Sequence, residues 1–153
     1  MFPHNVIRRI SDKVRASGCF SIIVDGTQDV SGKEQEAICL RCVDEALEPH
    51  EEFVGMYEPP ETTGKTLTKC ILDVLTRLRL PLSTLRGQTY DGASNMSGVY
   101  SGCQAIVLEK QPLALYVHCG AHCCNLVAQK ACTAVHIVRS INQMQRSVCK
   151  NYC

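Results

Sequence analysis

The hydrophobic positions in the first third of the chain predict one helix followed by three strands. Residues 5–16 place their apolar side chains on one stripe, with basic side chains elsewhere, and this stripe consists of Val6, Ile10 and Val14. Three apolar or alternating runs joined by short polar links then predict strands at residues 19–24, 36–45 and 50–59. Short links of this kind favour an antiparallel hairpin meander.

Alternation along the second and third of these strands assigns side chains to faces. In the second strand, one face carries Ile38, Leu40 and Cys42, and the other carries Cys39, Arg41 and Val43. In the third, strict alternation places Phe53, Gly55 and Tyr57 opposite Val54 and Met56. Cys39 and Cys42 therefore point in opposite directions, so this C-x-x-C spacing does not predict a metal site.

The apolar spacing becomes helical after the pair of prolines at 59–60. From Leu67 to Leu78 it follows i, i+3, i+4 and i+7, and Thr62 or Thr63 can cap the start of this helix. Strand, helix, strand and helix then follow over residues 84–92, 105–109, 113–120 and 121–150. The stripe of the last helix consists of Val127, Ala131, Ala134, Val138 and Ile141.

This order of elements predicts an α/β fold with a mixed sheet. Three hairpin-linked strands form an antiparallel half, and two strands reached through helices form a parallel half. If the crossover returns the fourth strand beside the first, the strand order is 3-2-1-4-5. That is the ribonuclease H-like arrangement, a five-stranded sheet flanked by helices. We expect residues 1–18 to pack on the core as an amphipathic helix and residues 19–153 to form the core.

Composition narrows the class of protein without naming a function. The 153 residues are 45% hydrophobic and contain no uninterrupted apolar run of about 18 residues, so we expect a soluble, intracellular domain without a membrane span. The eleven cysteines are odd in number and follow no export signal, which favours reduced thiols. A net charge of +1 gives no long-range attraction to nucleic acid, so any DNA contact requires a local basic patch.

Two acids are candidates for a metal site. Asp25 and Asp91 each follow a predicted strand and precede a small residue, in VDGT and YDGA. If the first and fourth strands are parallel neighbours, about 4.8 Å apart, the two carboxylates can share one divalent ion. Mg²⁺ or Mn²⁺ suits oxygen ligands, and such a pair supports two-metal phosphoryl transfer. The alternative is that each Asp caps the turn after its strand.

A third carboxylate is not evident from the sequence. Asp29 is four residues past Asp25 and is better placed to stabilise the loop than to bind metal. Glu109 is the only acid after Asp91, and it lies at the far end of a predicted helix.

Two further motifs have metal-binding or phosphate-binding character. Helical spacing in HCGAHCC brings Cys119, His122 and Cys123 to one side, but a structural zinc site needs four ligands. A structural packing role for these residues is therefore favoured, and zinc is unlikely.

The stretch TTGKTLT resembles the tail of a P-loop. Pro59 stands where that motif requires Gly, so a capped helix is the simpler interpretation, although Lys65 could still contact a phosphate.

Charge is unevenly distributed. Residues 44–61 carry seven acids and no Lys or Arg, so we expect this edge of the sheet to repel DNA. The candidates for phosphate contact lie in the first and last helices and are Arg8, Arg9, Lys130 and Arg139. A solvated charged face is the alternative for both helices.

Four segments together resemble the catalytic core of hAT-superfamily transposases, over about Phe20 to Ala131. They are VDGTQDVSGKEQEAICLRCVD, YEPPETTGKTL, GQTYDGASNMSG and LALYVHCGAHCCNLV. The most similar branch is that of transposon-derived proteins of the zinc finger MYM-type protein 1-like kind. The resemblance implies a ribonuclease H-like fold, cut-and-paste DNA transposition, DNA as partner and a nuclear location. It also implies a Mg²⁺ or Mn²⁺ site in which Asp25 and Asp91 are the first two acids, and it matches the family's C-x-x-H motif to Cys119 and His122.

Departures from the family pattern bear on activity. Family members supply the third acid, a Glu, after a helical insertion, followed by a dimerisation segment, whereas this chain stops at Cys153 and begins without a zinc finger. Gly26 stands where many relatives have Glu, and Cys123 where many have Arg. We therefore expect a transposase fragment that keeps two metal-binding acids and does not transpose DNA alone. One alternative is a nuclear module that binds nucleic acid or protein without chemistry; another is a nuclease in which two acids suffice.

Overall fold

The computed structural model describes residues 4–28 and 31–134 and confirms the predicted order of the main elements. The helices are α1 (His4–Ala16), α2 (Gly64–Arg77), α3 (Ser94–Ser97), α4 (Cys103–Lys110) and α5 (Gly120–Ala134). The strands are β1 (Phe20–Gln28), β2 (Glu34–Val43), β3 (Pro49–Tyr57), β4 (Leu85–Tyr90) and β5 (Leu115–His118). The chain divides into two compact units, residues 1–118 and 119–153, and α5 is the described part of the second.

The five strands form one sheet in the order β3-β2-β1-β4-β5. β1 pairs antiparallel with β2 and parallel with β4, so that Ile22 lies between Leu40 and Gln88. β2 and β3 are antiparallel, and β4 and β5 are parallel. The predicted mixed sheet and its ribonuclease H-like strand order are therefore confirmed.

The core is a single hydrophobic cluster between the sheet and the helices of the first unit. Its central members are fully buried and come from the sheet and α2: Ile22, Ile38, Leu40, Leu67, Ile71 and Val74. The predicted cap of α2 is confirmed at Thr63, whose side chain accepts a hydrogen bond from Thr66 N at 3.3 Å. A Cβ on Gly64 would lie 2.4 Å from Ser101 O, so the start of α2 approaches its neighbours as closely as only glycine allows.

The buried stripe of α1 differs slightly from the prediction. Ile10 and Val14 are buried, but Val6 is exposed, and Ile7 packs against the core instead. The reason is the angular drift of a 3.6-residue period, which brings position 7 rather than position 6 over Ile10 and Val14.

A β-bulge in β3 overturns the predicted alternation of that strand. Ile38 pairs with Gly55 and Cys39 with Phe53, which leaves Val54 as an extra residue. As a result Val54 is buried, whereas Phe53 and Met56 are both exposed. β2 keeps its predicted faces, because Ile38, Leu40 and Cys42 are buried and Arg41 and Val43 are exposed.

The last strand is more exposed than its continuous apolar run predicts. β5 lies at the edge of the sheet beside β4, and Leu115 and Val117 are 65% and 57% exposed. Within α5, Val127, Ala131 and Ala134 of the predicted stripe are all exposed, and its last two members, Val138 and Ile141, lie outside the described residues. No helix in the described ranges combines the length and apolar character that crossing a membrane requires.

Candidate cation site at the carboxyl ends of strands β1 and β4

The parallel pairing of β1 and β4 brings Asp25 and Asp91 to the same end of the sheet. β1 and β4 are parallel neighbours in which Ile23 pairs with Thr89, so two residues further along each strand the register reaches Asp25 and Asp91. Asp25 is exposed and Asp91 half-buried. β1 continues past Asp25 to Gln28 because its pairing with β2 extends that far, so Asp25 lies within the strand rather than after it.

Asp91 has two structural contacts. Its Oδ1 accepts a hydrogen bond from Ala93 N at 3.1 Å, which is the turn-capping role given as the alternative for this residue. Its main-chain carbonyl accepts a hydrogen bond from the Tyr116 hydroxyl at 3.2 Å. Because a carboxylate has two oxygens and several lone pairs, the cap leaves Asp91 able to bind a cation as well.

Glu36 is a third acid at this end of the sheet, and the sequence analysis did not identify it. In β2 it pairs with Gly26 on one side and with Tyr57 on the other. Its side chain is buried, at 5% exposure, and its Oε2 has no hydrogen-bond partner. The alternation that places Ile38 in the core also places Glu36 on that face, so a charged residue at the start of a buried stripe is the signal that could have revealed it.

Gly26 gives the Glu36 carboxylate its position. A Cβ on Gly26 would lie 3.3 Å from both carboxylate oxygens of Glu36. That distance is tighter than an ordinary van der Waals contact, so the carboxylate occupies the space directly beside the glycine. The resemblance expects an acid at position 26, and the structure shows a carboxylate from β2 next to that position instead.

The electrostatic surroundings of Glu36 are unfavourable to its negative charge. Burial, and after it the nearby charges of Asp91, Glu34 and Asp25 in that order, together raise the pKa of Glu36 from 4.5 to about 7. Four acids therefore act on one small region, and a cation bound there would reduce the repulsion among them.

A cavity of about 230 Å³ opens beside these acids. Glu34, Glu36 and Asp91 line it, together with Thr62 and Asn95. Asn95 Nδ2 donates a hydrogen bond to Thr62 O at 2.7 Å, which fixes one wall. The cavity is large enough for an ion that keeps several of its waters, as Mg²⁺ commonly does.

The chemistry of the lining fits a hard divalent cation. Glu34, Glu36 and Asp91 all offer carboxylate oxygens, and Glu36 Oε2 has no hydrogen-bond partner. Their present spacing is looser than a finished coordination shell. In the described parts of the chain, no three His, Cys, Asp or Glu side chains are arranged to hold a metal ion as they stand. If a divalent cation binds here, Glu36 and Asp91 are the cavity-lining acids that would hold it.

A family model described as DUF4371, ZMYM1/FAM200 RNase-like domain, matches residues 1–102. The chain belongs to this family. It is also similar to the human protein named "52 kDa repressor of the inhibitor of the protein kinase", with 32% identity over 120 residues, which is 78% of this chain and 16% of that protein. The mouse protein of the same name is 32% identical over 126 residues, covering 82% of this chain. The chain thus spans 16% of the length of these curated relatives.

The remaining residues that the sequence analysis names as candidates for phosphate contact or metal binding do not line the acidic cavity where the structure describes them. Arg8 and Arg9 are exposed on α1, and Lys130 is exposed on α5, while Arg139 and Asp29 lie outside the described residues. Glu109 is exposed near the end of α4 and Lys65 in the first turn of α2.

The cysteine motifs differ in their surroundings. Cys39 is half-buried and Cys42 buried, on the opposite faces that β2 predicts. Cys119 directly precedes α5, and its carbonyl accepts a hydrogen bond from Cys123 N at 3.0 Å. His122, in the first turn of that helix, is half-buried like Cys119. The nine cysteines within the described residues are all free thiols.

The acidic stretch over residues 44–61 is less negative than its sequence suggests. Basic side chains from neighbouring segments form ion pairs with its acids: Lys13 with Glu52 at 2.6 Å, Lys33 with Glu58 at 2.7 Å, and Arg41 with Glu51 at 3.4 Å. Such surface pairs are individually weak, but they neutralise charge locally. The repulsion of DNA by this edge stays a prediction, and these pairs offset part of the negative charge on which it rests.

Proposed function

We propose that this chain is a ribonuclease H-like domain derived from a hAT-type DNA transposase, which keeps a Mg²⁺ or Mn²⁺ site but does not cut DNA by itself. The observation that carries the proposal is that β1 and β4 are adjacent parallel strands, in which Ile23 and Thr89 pair two residues before Asp25 and Asp91. Membership of the ZMYM1/FAM200 RNase-like domain family supports the fold relationship. Relatives that are named as repressors support a role other than transposition, and a nuclear location follows from that proposal.

The chemistry available at the site depends on its acids. A divalent ion would stabilise the negative charge that develops on a phosphate during strand transfer. Asp91 is held in place by its bond from Ala93 N and by the Tyr116 hydroxyl on its carbonyl. Asp25 is exposed, so a cation bound to it would be accessible to a nucleic-acid phosphate. Cleavage would require the further catalytic Glu that the resemblance assigns to a later segment, so we propose that this domain holds the ion without completing the reaction.

A nicking assay on supercoiled plasmid with Mg²⁺ or Mn²⁺ tests the absence of catalysis. We expect the wild type to produce no more nicked plasmid than Asp25→Ala or Asp91→Ala, because the acids at this site do not include the later catalytic Glu that the resemblance implies. Asp73→Ala is the matched control, since Asp73 is an exposed acid on α2 that forms an ion pair with Arg77. Nicking by the wild type and by Asp73→Ala that is lost in both strand-end variants would overturn the proposal.

Binding of nucleic acid without chemistry is the second candidate function, and a basic groove favours it. A cavity of about 550 Å³ lies between α1 and the end of α2, and Arg8, Arg15, Arg77 and Arg79 line it. Arg15 forms an ion pair with Asp12, and Arg77 pairs with Asp73 at 2.7 Å. Arg8 and Arg79 have no ion pair among the described residues, so the groove keeps a net positive charge suited to phosphate.

The same preparations distinguish this candidate by fluorescence anisotropy with a labelled DNA duplex. Binding that weakens steeply with salt and falls in the double variant Arg8→Ala, Arg79→Ala supports the groove as the contact surface. Arg86→Ala, which removes one exposed charge from β4, is the control for the loss of positive charge. Binding that is unchanged in the double variant would exclude this groove.

A further inference from the structure

The starting observation is a buried acid without a partner. Glu36 is 5% exposed, and its Oε2 accepts no hydrogen bond. Leaving a buried carboxylate oxygen without a donor costs free energy, so proteins rarely keep one unless something outside the chain supplies the missing interaction. Here the described chain supplies none to Oε2.

The charges around Glu36 show what kind of group is missing. The charged side chains that act on it are Asp91, Glu34 and Asp25, and all three are negative. A buried acid in a structural ion pair would instead face Lys or Arg, as Glu52 faces Lys13 at 2.6 Å elsewhere in this molecule. A positively charged ligand would therefore reduce the repulsion between Glu36 and its neighbours.

The space around Glu36 shows the size of that ligand. The carboxylate lies against Gly26, which places no side chain between it and β1. On its open side is the 230 Å³ cavity that Asp91 also lines. This space suits a partly hydrated ion, and hard carboxylate oxygens favour Mg²⁺ or Mn²⁺ over softer metals.

We propose that Glu36 is the third carboxylate of this site and that it binds a divalent cation together with Asp91. The inference rests on the proposed cation site at Asp25 and Asp91, and it adds a ligand from β2 that neither the resemblance nor the strand-end pattern assigns. Glu36 thus acts as a ligand that positions the ion deeper in the sheet than the two strand-end acids alone would hold it.

Isothermal titration of the whole chain with MnCl₂ tests this inference without measuring catalysis. The set comprises the wild type, Glu36→Gln, Asp91→Asn and the control Glu45→Gln, whose exposed acid lies past the other end of β2. We expect Glu36→Gln and Asp91→Asn each to weaken Mn²⁺ binding by about tenfold or more. Glu45→Gln should bind as the wild type does. Thermal unfolding of each variant checks that it is folded.

The outcomes separate the two proposals. If Asp91→Asn loses binding while Glu36→Gln binds like the wild type, the role of Glu36 is refuted and the strand-end site stands. If the wild type binds no Mn²⁺, both the strand-end site and the role of Glu36 are refuted. Equal binding by all four proteins would show adventitious surface ions and would also overturn the inference.

Discussion

Two carboxylates lie near opposite ends of strand β2, and their hydrogen bonding differs. Glu36 is inside the strand near its start, and Asp44 directly follows its last residue. Asp44, directly after β2, is hydrogen-bonded to Ala46 N at 2.9 Å, Glu48 N at 3.0 Å and His50 Nε2 at 2.8 Å. The bond to His50 and the backbone donors lower the pKa of Asp44. Glu36 lies near the other end with one oxygen unpartnered, and burial raises its pKa to about 7.

The difference distinguishes an acid whose hydrogen bonds the chain itself supplies from the acid that we propose binds a cation. The bonds of Asp44 close the β2–β3 turn, so the chain itself supplies everything that this carboxylate needs. Glu36 has no such donors at Oε2, and its charged neighbours repel it. The sequence pattern places Glu36 on the buried face of β2 and Asp44 after the strand, but it does not show which of the two lacks a hydrogen-bond donor.

The largest effect expected from this comparison is on how stability depends on pH. The folded protein holds the proton of Glu36 more tightly than the unfolded chain does. The resulting stabilisation is fully present below pH 4.5, and it is lost as the pH rises through about 7. We therefore expect the wild type to lose on the order of 2 kcal/mol of unfolding free energy across this range relative to Glu36→Gln. Urea unfolding at pH 5 and pH 8 measures it.

Glu52→Gln is the matched control for that measurement. Glu52 is an acid of β3 paired with Lys13, and its replacement should leave the difference between the two pH values close to that of the wild type. Parallel pH profiles for the wild type and Glu36→Gln would show that Glu36 ionises as an ordinary surface acid, which contradicts the comparison.

A smaller effect of opposite sign is expected at Asp44. Because its pKa is lowered, its stabilising contribution is present above its ordinary pKa of 3.8 and is lost as the pH falls below that value. Asp44→Asn should therefore reduce Tm slightly at pH 7 and have less effect at pH 3, as followed by thermal unfolding. A larger loss at pH 3 than at pH 7 would contradict this assignment.

Much of the fold is predictable because its strands and helices have clear hydrophobic periods. The strand order follows from two short hairpin links and two helical crossovers, and α2 follows from its apolar spacing and Thr63. The bulge at Val54 is not predictable in the same way, since it depends on pairing between strands rather than on either sequence alone. The exposure of Leu115 likewise depends on β5 lying at an edge of the sheet.

The site is predictable only in part for a related reason. Asp25 and Asp91 follow apolar runs, so the rule that sites form at strand ends selects them as candidates. Glu36 sits at the start of a buried stripe, where its face is predictable but the lack of a hydrogen-bond partner is not. Its position depends on the absence of a side chain at Gly26, across the strand pair, and this becomes evident only once the register is known.

The most direct test of the central claim is a ¹H–¹⁵N correlation spectrum recorded with substoichiometric Mn²⁺, because the paramagnetic ion broadens nearby amide signals. Asp44 lies eight residues along from Glu36, about 26 Å at the rise of an extended strand, so the two ends of β2 are well separated. The account predicts that the amides of Gly26, Glu36 and Gly92 broaden first, while those of Ala46 and Glu48 stay sharp. Broadening centred on the Asp44 turn, or spread evenly over the chain, would contradict it.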